Sequence, residues 1–230
     1  MKDFFKHYKK FKKGNAADYF KNFKKPEKRW HIINFLINQH NFNSYLEIGS
    51  HHKLTYDRIK IDYKKCVDPA DFKNKKFIAD YKLTSNDFFE RNTKKFDIIF
   101  IDGLHLQEQI KLDIHNSLKI LNKGGIIICH DINPETVESQ KRNYIFPLEW
   151  NGDVWKEWIR LRTLKNLYMY VIDSDCGLGV IQKGKQTPVT LPEKIKFNLH
   201  TDEQFFWFLK NKKTALNLIS FEDFVNSYNE

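Results

Sequence analysis

The sequence FDIIFIDGLH at positions 96–105 joins an apolar strand to a short polar loop. Five of its first six residues are apolar, as is typical of a strand that is covered on both faces of a sheet. An acid, a glycine and a histidine follow within four residues. A second run of the same kind, IIIC at 126–129, leads directly into a histidine and an aspartate. These two runs predict neighbouring strands of a parallel sheet, with polar groups placed where the strands end.

Strand and helix patterns alternate on both sides of these runs. Apolar strand patterns lie at 45–48, 65–67, 77–79, 96–101 and 126–129. Helical patterns lie between them, at 55–60, 86–91 and 106–121. Such alternation predicts a parallel sheet with helices on both faces.

The last part of the chain follows a different pattern. Strands at 167–172 and 179–181 are joined by a turn-rich segment that is short enough for an antiparallel hairpin. Further helices are expected at 30–40, 153–164, 202–210 and 219–228. The predicted fold class is therefore α/β: a Rossmann-like, doubly wound, mostly parallel sheet of seven strands, closed by the hairpin.

The basic charge is concentrated at the N-terminus. Residues 1–29 carry +8 of the net charge of +10, so the remaining chain is nearly neutral and a nucleic-acid partner is not expected. Aromatic residues recur there at helical spacing: Phe4, Phe5, Tyr8 and Phe11. We expect residues 1–40 to form a basic helical segment of the same domain as residues 41–230, packed on its body. Peripheral contact of residues 1–29 with an anionic membrane, or with a phosphate-bearing substrate, is the alternative.

The composition excludes several classes of protein. The apolar share of 41% and the aromatic share of 15% are too high for a disordered chain. Cys66, Cys129 and Cys176 show no C-x-x-C spacing, so neither a disulfide framework nor a structural zinc site is expected. The pattern contains neither a membrane span nor the apolar core of a signal peptide. We therefore expect a cytoplasmic protein.

Four predicted parallel strands end at or near an acid: Glu47, Asp68, Asp102 and Asp131. Buried apolar strands need no such acids, and an unpaired carboxylate near a core is costly. Because ligands bind at the carboxyl ends of parallel strands, these acids predict a binding site. Asp68 could accept hydrogen bonds from a ribose, or it could form a turn with Pro69.

Six short motifs in a fixed order resemble a known family. They are LEIG at 46–49, VDP at 67–69, FIDGLH at 100–105, GG at 124–125, HD at 130–131 and WNGDVWK at 150–156. The chain resembles class I S-adenosylmethionine-dependent methyltransferases over about residues 40–182. Within them it is similar to a bacterial branch (methyltransferase domain family 24-like) with an acid-glycine-x-histidine after the fourth strand and a histidine-aspartate after the fifth. Many members of this branch belong to surface-polysaccharide biosynthesis.

The resemblance implies how the site is divided. S-adenosylmethionine would be held by Glu47, Gly49, Ser50, Asp68 and Asp102. The acceptor would face Asp102, His105, His130 and Asp131, with Trp150 as a further contact beside His130. The implied activity is O-methylation of a sugar hydroxyl on a surface-glycan or nucleotide-sugar precursor.

The roles of the acids and histidines around the acceptor remain open at the level of sequence. A hydroxyl needs help to lose its proton near neutral pH, and His105 and His130 are both candidate bases. Asp102 and Asp131 could instead bind Mg²⁺ or Mn²⁺, as in metal-dependent O-methyltransferases of this fold. They could also cap the helices expected after them.

One position departs from the family pattern. Lys53 stands where a second glycine is common, so it either blocks the cofactor loop or replaces glycine contacts with side-chain contacts. Three other functions compete with the sugar O-methyltransferase. They are a methyltransferase with another N- or O-acceptor, a nicotinamide-dependent oxidoreductase, and a non-catalytic binder of RNA or membrane through residues 1–29. The oxidoreductase is disfavoured because no G-x-G-x-x-G follows the first strand.

Overall fold

One sheet of seven strands organises the chain, for which the computed structural model describes residues 16–21, 27–71, 73–144, 149–193, 195 and 201–229. The strands are β1 (Ser44–Ile48), β2 (Tyr63–Val67), β3 (Phe96–Ile101), β4 (Leu121–Cys129), β5 (Leu167–Asp173), β6 (Leu178–Lys183) and β7 (Leu218–Ser220). Their order is β2-β1-β3-β4-β6-β5-β7. Strand β6 is antiparallel to β4 and β5, and the remaining neighbours are parallel. The predicted Rossmann-like fold with a closing hairpin is confirmed.

Helices cover both faces of this sheet. They are α1 (Ala16–Phe20), α2 (Arg29–His40), α3 (Ser85–Arg91), α4 (Gln107–Ile120), α5 (Val154–Arg162), α6 (Asp202–Leu216) and α7 (Phe221–Asn226). One core joins the sheet to α4, α5 and α6, and a second core joins it to α1, α2 and α7. In β3, Ile99 and Ile101 belong to the first core, whereas Ile98 and Phe100 belong to the second. This strand is apolar nearly throughout because both of its faces are buried.

The predicted strand at 77–79 is wrong. These residues follow a 3₁₀ turn at Lys75–Phe77, and the chain meets β2 through a single bridge between Tyr81 and Val67. The residues just before it, 73–76, are all exposed, so the segment has too little apolar surface to form an edge strand. The seventh strand is instead β7, which pairs with the edge of β5 where the sequence predicts the start of a helix.

Other elements differ from the prediction in length. The helix expected at 55–60 is only a 3₁₀ turn, and α6 continues to Leu216 rather than ending near residue 210. Strand β4 follows α4 directly, so Gly125 lies inside the strand and not in a loop. A Cβ on Gly125 would lie 2.6 Å from the carbonyl oxygen of Asp97, and the register between β3 and β4 shifts here. Glycine is required because the two backbones approach too closely for a side chain.

The N-terminal predictions can be compared with the structure only in part. The aromatic helix predicted around residues 4–11 lies outside the described residues. Helix α1 packs through Phe20 against Phe35 of α2 and against the aromatic rings of α7. Within the described part of the chain, no helix is both long enough and apolar enough to span a membrane.

Gly49, directly after β1, packs closely against the backbone of Asp102 and Gly103, which follow β3. Its φ is +84°, and a Cβ there would lie 2.2 Å from the carbonyl oxygen of Asp102. We expect Gly49→Ala to lower the free energy of unfolding by about 2 kcal/mol or more, because left-handed strain adds to the overlap. Gly103→Ala is the matched control, because its Cβ would meet its nearest atom at 3.7 Å. Urea denaturation measures the free energy of unfolding of the two variants. Equal values would contradict the described close contact between Gly49 and the backbone after β3.

Candidate active site

A cavity of about 1280 Å³ lies over the carboxyl ends of β1 to β4. Every residue that the sequence assigns to the site lines it: Glu47, Gly49, Ser50, Asp68, Asp102, His105, His130, Asp131 and Trp150. They meet here because the four parallel strands end at one edge of the sheet. The cavity is larger than the roughly 300–1,000 Å³ that is usual for a small-molecule site.

Glu47, near the end of β1, forms part of the cavity wall and is almost fully buried. The hydroxyl of Tyr45 donates a hydrogen bond to its Oε2 atom. Burial raises the pKa of the Glu47 carboxyl to about 8, so this group holds its proton at neutral pH. A positively charged ligand at this wall would favour the carboxylate form instead.

Asp68 holds the loop that follows β1. Its Oδ2 atom accepts a hydrogen bond of 2.7 Å from the backbone N–H of His51, and its Oδ1 atom accepts one of 2.8 Å from that of Ala70. The turn-forming role is therefore present. Each oxygen retains a second lone pair, so the predicted contact with a ribose stays a prediction.

Lys53 is not among the described residues that line the cavity. Its Nζ atom lies 3.4 Å from the carbonyl oxygen of Ile78 and 4.7 Å from the centre of the Tyr56 ring. The φ angle of Lys53 is +59°. Two earlier residues of the same loop also have positive φ angles, Gly49 with +84° and His51 with +41°. The lysine thus adopts a conformation that glycine adopts more easily, while its side chain is held outside the cavity.

Asp102, His105, His130 and Asp131 lie together at the ends of β3 and β4, and are called here the acid–histidine cluster. His130 Nδ1 lies 2.8 Å from Asp131 Oδ2 and 3.2 Å from Asp102 Oδ1. His105 Nε2 lies 3.3 Å from the same Asp131 oxygen and 3.5 Å from the same Asp102 oxygen. Both imidazoles therefore face one pair of carboxylates.

The two carboxylates stabilise positive charge on both histidines. Burial opposes a charged His130, but Asp131 and Asp102 outweigh it and raise the pKa of His130 to about 10. Burial also opposes a charged His105, and its contacts with the same aspartates raise its pKa above the ordinary value. For Asp102, burial favours the neutral acid, yet the neighbouring cations hold its pKa well below the usual range. The cluster thus combines carboxylates with a protonated His130.

The alternative in which the two aspartates cap helices is wrong for the described chain. The first backbone N–H of α4, at Gln107, donates to Asp153 Oδ1 at 2.7 Å and not to Asp102. No described helix begins directly after Asp131, whose Oδ1 atom accepts a hydrogen bond of 2.9 Å from Asn151. Both aspartates are therefore available to the histidines.

Trp150 fixes the orientation of His105. Its carbonyl oxygen lies 2.8 Å from His105 Nδ1, and its ring stacks on the imidazole with the ring centres 4.7 Å apart. A proton on Nδ1 is satisfied by this carbonyl, so Nε2 is the nitrogen that faces the aspartates. Sequence reasoning placed Trp150 near the acceptor but did not reveal this contact.

Sequence reasoning missed Arg29, which lines this corner of the cavity, and Asp175, which contacts Arg29. Arg29, at the start of α2, donates from Nη1 to Asp102 Oδ2 at 2.6 Å and lies 3.2 Å from His130 Nδ1. Asp175, in the turn between β5 and β6, accepts a hydrogen bond of 2.9 Å from Arg29 Nε. In the sequence Arg29 is only the last charge of a basic segment, so no spacing marks it as a site residue.

The cluster also contains groups that could bind a metal ion. Asp102, His105 and Asp131 each offer one ligand atom within 4.8 Å of the others. Two carboxylates and one imidazole are compatible with Mn²⁺. Mg²⁺ or Mn²⁺ at Asp102 and Asp131 therefore stays a prediction.

Residues 24–132 match the sequence model of a family described as a methyltransferase domain. No curated protein was found to match the chain. The fold is similar to that of an O-methyltransferase from Bacillus cereus in complex with SAH, at 13% identity and a TM-score of 0.50, over 73% of this chain and 86% of that chain.

Two further structures show the same similarity. One is the O-methyltransferase TomG from Streptomyces achromogenes, involved in tomaymycin synthesis and in complex with SAM, at 12% identity, 73% and 86% coverage and a TM-score of 0.50. The other is the SAH-bound methyltransferase PaMTH1 from Podospora anserina, at 14% identity, 80% and 87% coverage and a TM-score of 0.50. At these identities the similarity concerns the fold alone. The domain match and this fold are both typical of methyltransferases.

The charge on His130 can be measured directly. Its folded pKa of about 10 exceeds the unfolded value of about 6.5, so the ion pair stabilises the fold fully below about pH 6.5. This contribution is lost as the pH rises through about 10. We expect NMR of labelled protein to show an imidazolium at His130 at pH 8. Asp131→Asn should lower this pKa by about 1 or more, because it removes a carboxylate charge from the ring.

Asp62→Asn, a change at an exposed residue just before β2, serves as the control and should leave the His130 signals unchanged. A neutral His130 at pH 8 in the wild-type protein would contradict the described charge balance.

Proposed function

We propose that this protein is a methyltransferase, and that it transfers a methyl group from S-adenosylmethionine to a sugar hydroxyl of a surface-glycan or nucleotide-sugar precursor. The observation that carries the proposal is that two different sets of groups line one cavity. The ends of β1 and β2 contribute acids suited to a nucleoside and an ammonium group. The ends of β3 and β4 contribute the acid–histidine cluster, which is suited to removing a proton.

The residues at β1 and β2 fit the cofactor. Glu47 presents a buried carboxyl to the cavity, and Asp68 and Ser50 lie beside it at the switch point of the sheet. Glu47, Gly49, Ser50 and Asp68 would hold S-adenosylmethionine, with Asp102 next to them. Bound there, the cofactor supplies an electrophilic methyl group on a positively charged sulfur. A carboxylate on Glu47 would offset positive charge on the ligand.

His105 is the base in this proposal. Its side chain is 18% exposed, against 4% for His130, so an acceptor reaches it more easily. With Nδ1 donating to the Trp150 carbonyl, the Nε2 atom of the neutral ring takes the proton of the acceptor hydroxyl. Asp102 and Asp131 then stabilise the imidazolium that forms. His130 is less suited because its raised pKa keeps it protonated at neutral pH.

The assignment of a sugar acceptor rests on the resemblance of the sequence and on the shape of this corner. The aromatic ring of Trp150 is stacked on His105, with Tyr144 close to it at the cavity mouth. A flat aromatic surface beside carboxylates suits a ring that carries several hydroxyl groups. The preorganised corner would hold such an acceptor in line with the methyl group.

Cofactor binding can be tested without knowing the acceptor. We expect isothermal titration to show one site for S-adenosylhomocysteine, with an affinity that increases between pH 7 and 9 as Glu47 loses its proton. Glu47→Gln should remove this pH dependence. Asp68→Asn should weaken binding by about tenfold, because it removes a charged acceptor.

Asp62→Asn is again the matched control, since it changes an exposed aspartate that does not line the cavity. Absence of binding, or equal weakening in both aspartate variants, would argue against the proposed cofactor site.

Turnover tests the base. Mass spectrometry of reactions with nucleotide-activated sugars should detect a methyl ether, whereas catechol and amine acceptors should not react. His105→Gln should lower kcat by about 10²-fold or more, with unchanged affinity for S-adenosylhomocysteine. His115→Gln on the exposed face of α4 should behave as wild type. Full activity of His105→Gln would exclude His105 as the base, and methylation of only the amine acceptors would exclude the sugar hydroxyl.

A further inference from the structure

Arg29 is held in place by the buried carboxylate of Asp175. Asp175 Oδ2 accepts hydrogen bonds of 2.9 Å from both the backbone N–H and the Nε atom of Arg29. Its other oxygen lies 3.3 Å from Lys28 Nζ, and the Asp175 side chain is 4% exposed. Two contacts with one carboxylate oxygen fix both the backbone and the guanidinium plane of Arg29. The guanidinium is thus held in one orientation toward the cavity.

The turn that carries Asp175 is shaped for this contact. Asp175 and Cys176 have φ values of +47° and +64°, which non-glycine residues adopt only under strain. The turn is anchored to the segment after β4, where Asn133 N–H donates to the Cys176 carbonyl at 3.0 Å and Ile132 N–H to the Gly177 carbonyl at 3.2 Å. The strained turn therefore connects Arg29 to the segment that carries the acid–histidine cluster.

Arg29 already forms a hydrogen bond with Asp102, whose carboxylate would be a ligand of any metal ion bound here. Its Nη1 atom is 2.6 Å from Asp102 Oδ2, and Asp102 Oδ1 faces His130 and His105. Asp131 Oδ2 faces the same two histidines, and Asp131 Oδ1 accepts from Asn151. Every oxygen of both aspartates thus has a donor within the described chain.

We infer that Arg29 is the resident cation of this corner and takes the place of a divalent metal ion. The inference rests on the proposed function, because it concerns the acceptor side of that site. Mg²⁺ and Mn²⁺ need several oxygen ligands in regular geometry, and here they would have to displace a guanidinium from Asp102. The charge of Arg29 is permanent, since arginine does not lose its proton in proteins. Arg29 is a positioning residue that orients Asp102 toward both histidines.

Manganese binding tests the inference independently of any acceptor. We expect the wild-type protein to leave the EPR signal of free Mn²⁺ unchanged. Arg29→Met should bind Mn²⁺ at least about tenfold more tightly than wild type, because a repelling charge is removed and Asp102 is released. A merely structural role of Arg29 would not create a metal site. Lys28→Met is the matched control, since Lys28 contacts Asp175 and not Asp102, and it should behave as wild type.

A second variant covers the case in which Arg29→Met does not fold. Arg29→Lys keeps the positive charge, so it should bind Mn²⁺ no more tightly than wild type. Stoichiometric Mn²⁺ binding by the wild-type protein that is lost in Asp102→Asn would overturn the inference, as would a folded Arg29→Met that gains no affinity.

Titration of the same samples with S-adenosylhomocysteine separates the two proposals. A wild-type protein that binds both S-adenosylhomocysteine and Mn²⁺ overturns the role of Arg29 and keeps the proposed cofactor. In another outcome, the wild-type protein binds neither S-adenosylhomocysteine nor Mn²⁺, and Arg29→Met gains Mn²⁺ binding. This result supports the role of Arg29 and overturns the proposed cofactor.

Discussion

The structure depends on the burial of three carboxylates, Asp102, Asp131 and Asp175, in one corner of the molecule. A carboxylate removed from water without a partner costs several kcal/mol, and three together would also repel each other. The guanidinium of Arg29 and the imidazolium of His130 supply the opposite charge, with contacts of 2.6 to 2.9 Å. The balance holds only while all of these groups stay in place. It therefore links α2, the ends of β3 and β4, and the β5–β6 turn.

This linkage accounts for two of the strained backbone positions. Asp131 and Asp175 both have positive φ values, of +61° and +47°. A non-glycine residue in this conformation is destabilised by about 1–3 kcal/mol, and it persists only where surrounding contacts determine it. Asp131 directs its carboxylate to the two histidines, and Asp175 directs its carboxylate to Arg29. The strained conformations therefore position these two carboxylates. The core of the sheet needs no such strain, because β3 and β4 bury apolar residues on both faces.

The sequence predicted the central strands and the acids at their ends, but it predicted a strand at 77–79 that does not form and missed β7. β3 and β4 are recognisable because burial on both faces demands continuous apolar residues. The segment 77–79 has the same residue types over a shorter length, and it does not become a strand because exposed residues precede it. β7 was missed for the opposite reason: three residues become a strand only through pairing with β5. Edge strands depend on a neighbour that local sequence does not specify.

The sequence by itself determined which residues stand at the strand ends, because parallel strands of an alternating chain present their carboxyl ends at one edge. It also determined that Glu47, Asp68, Asp102 and Asp131 would share one site. Only the tertiary structure decided the charge of these groups and their partners. Arg29 and Asp175 are 146 residues apart, and the pKa of His130 depends on distances in space that no spacing along the chain encodes.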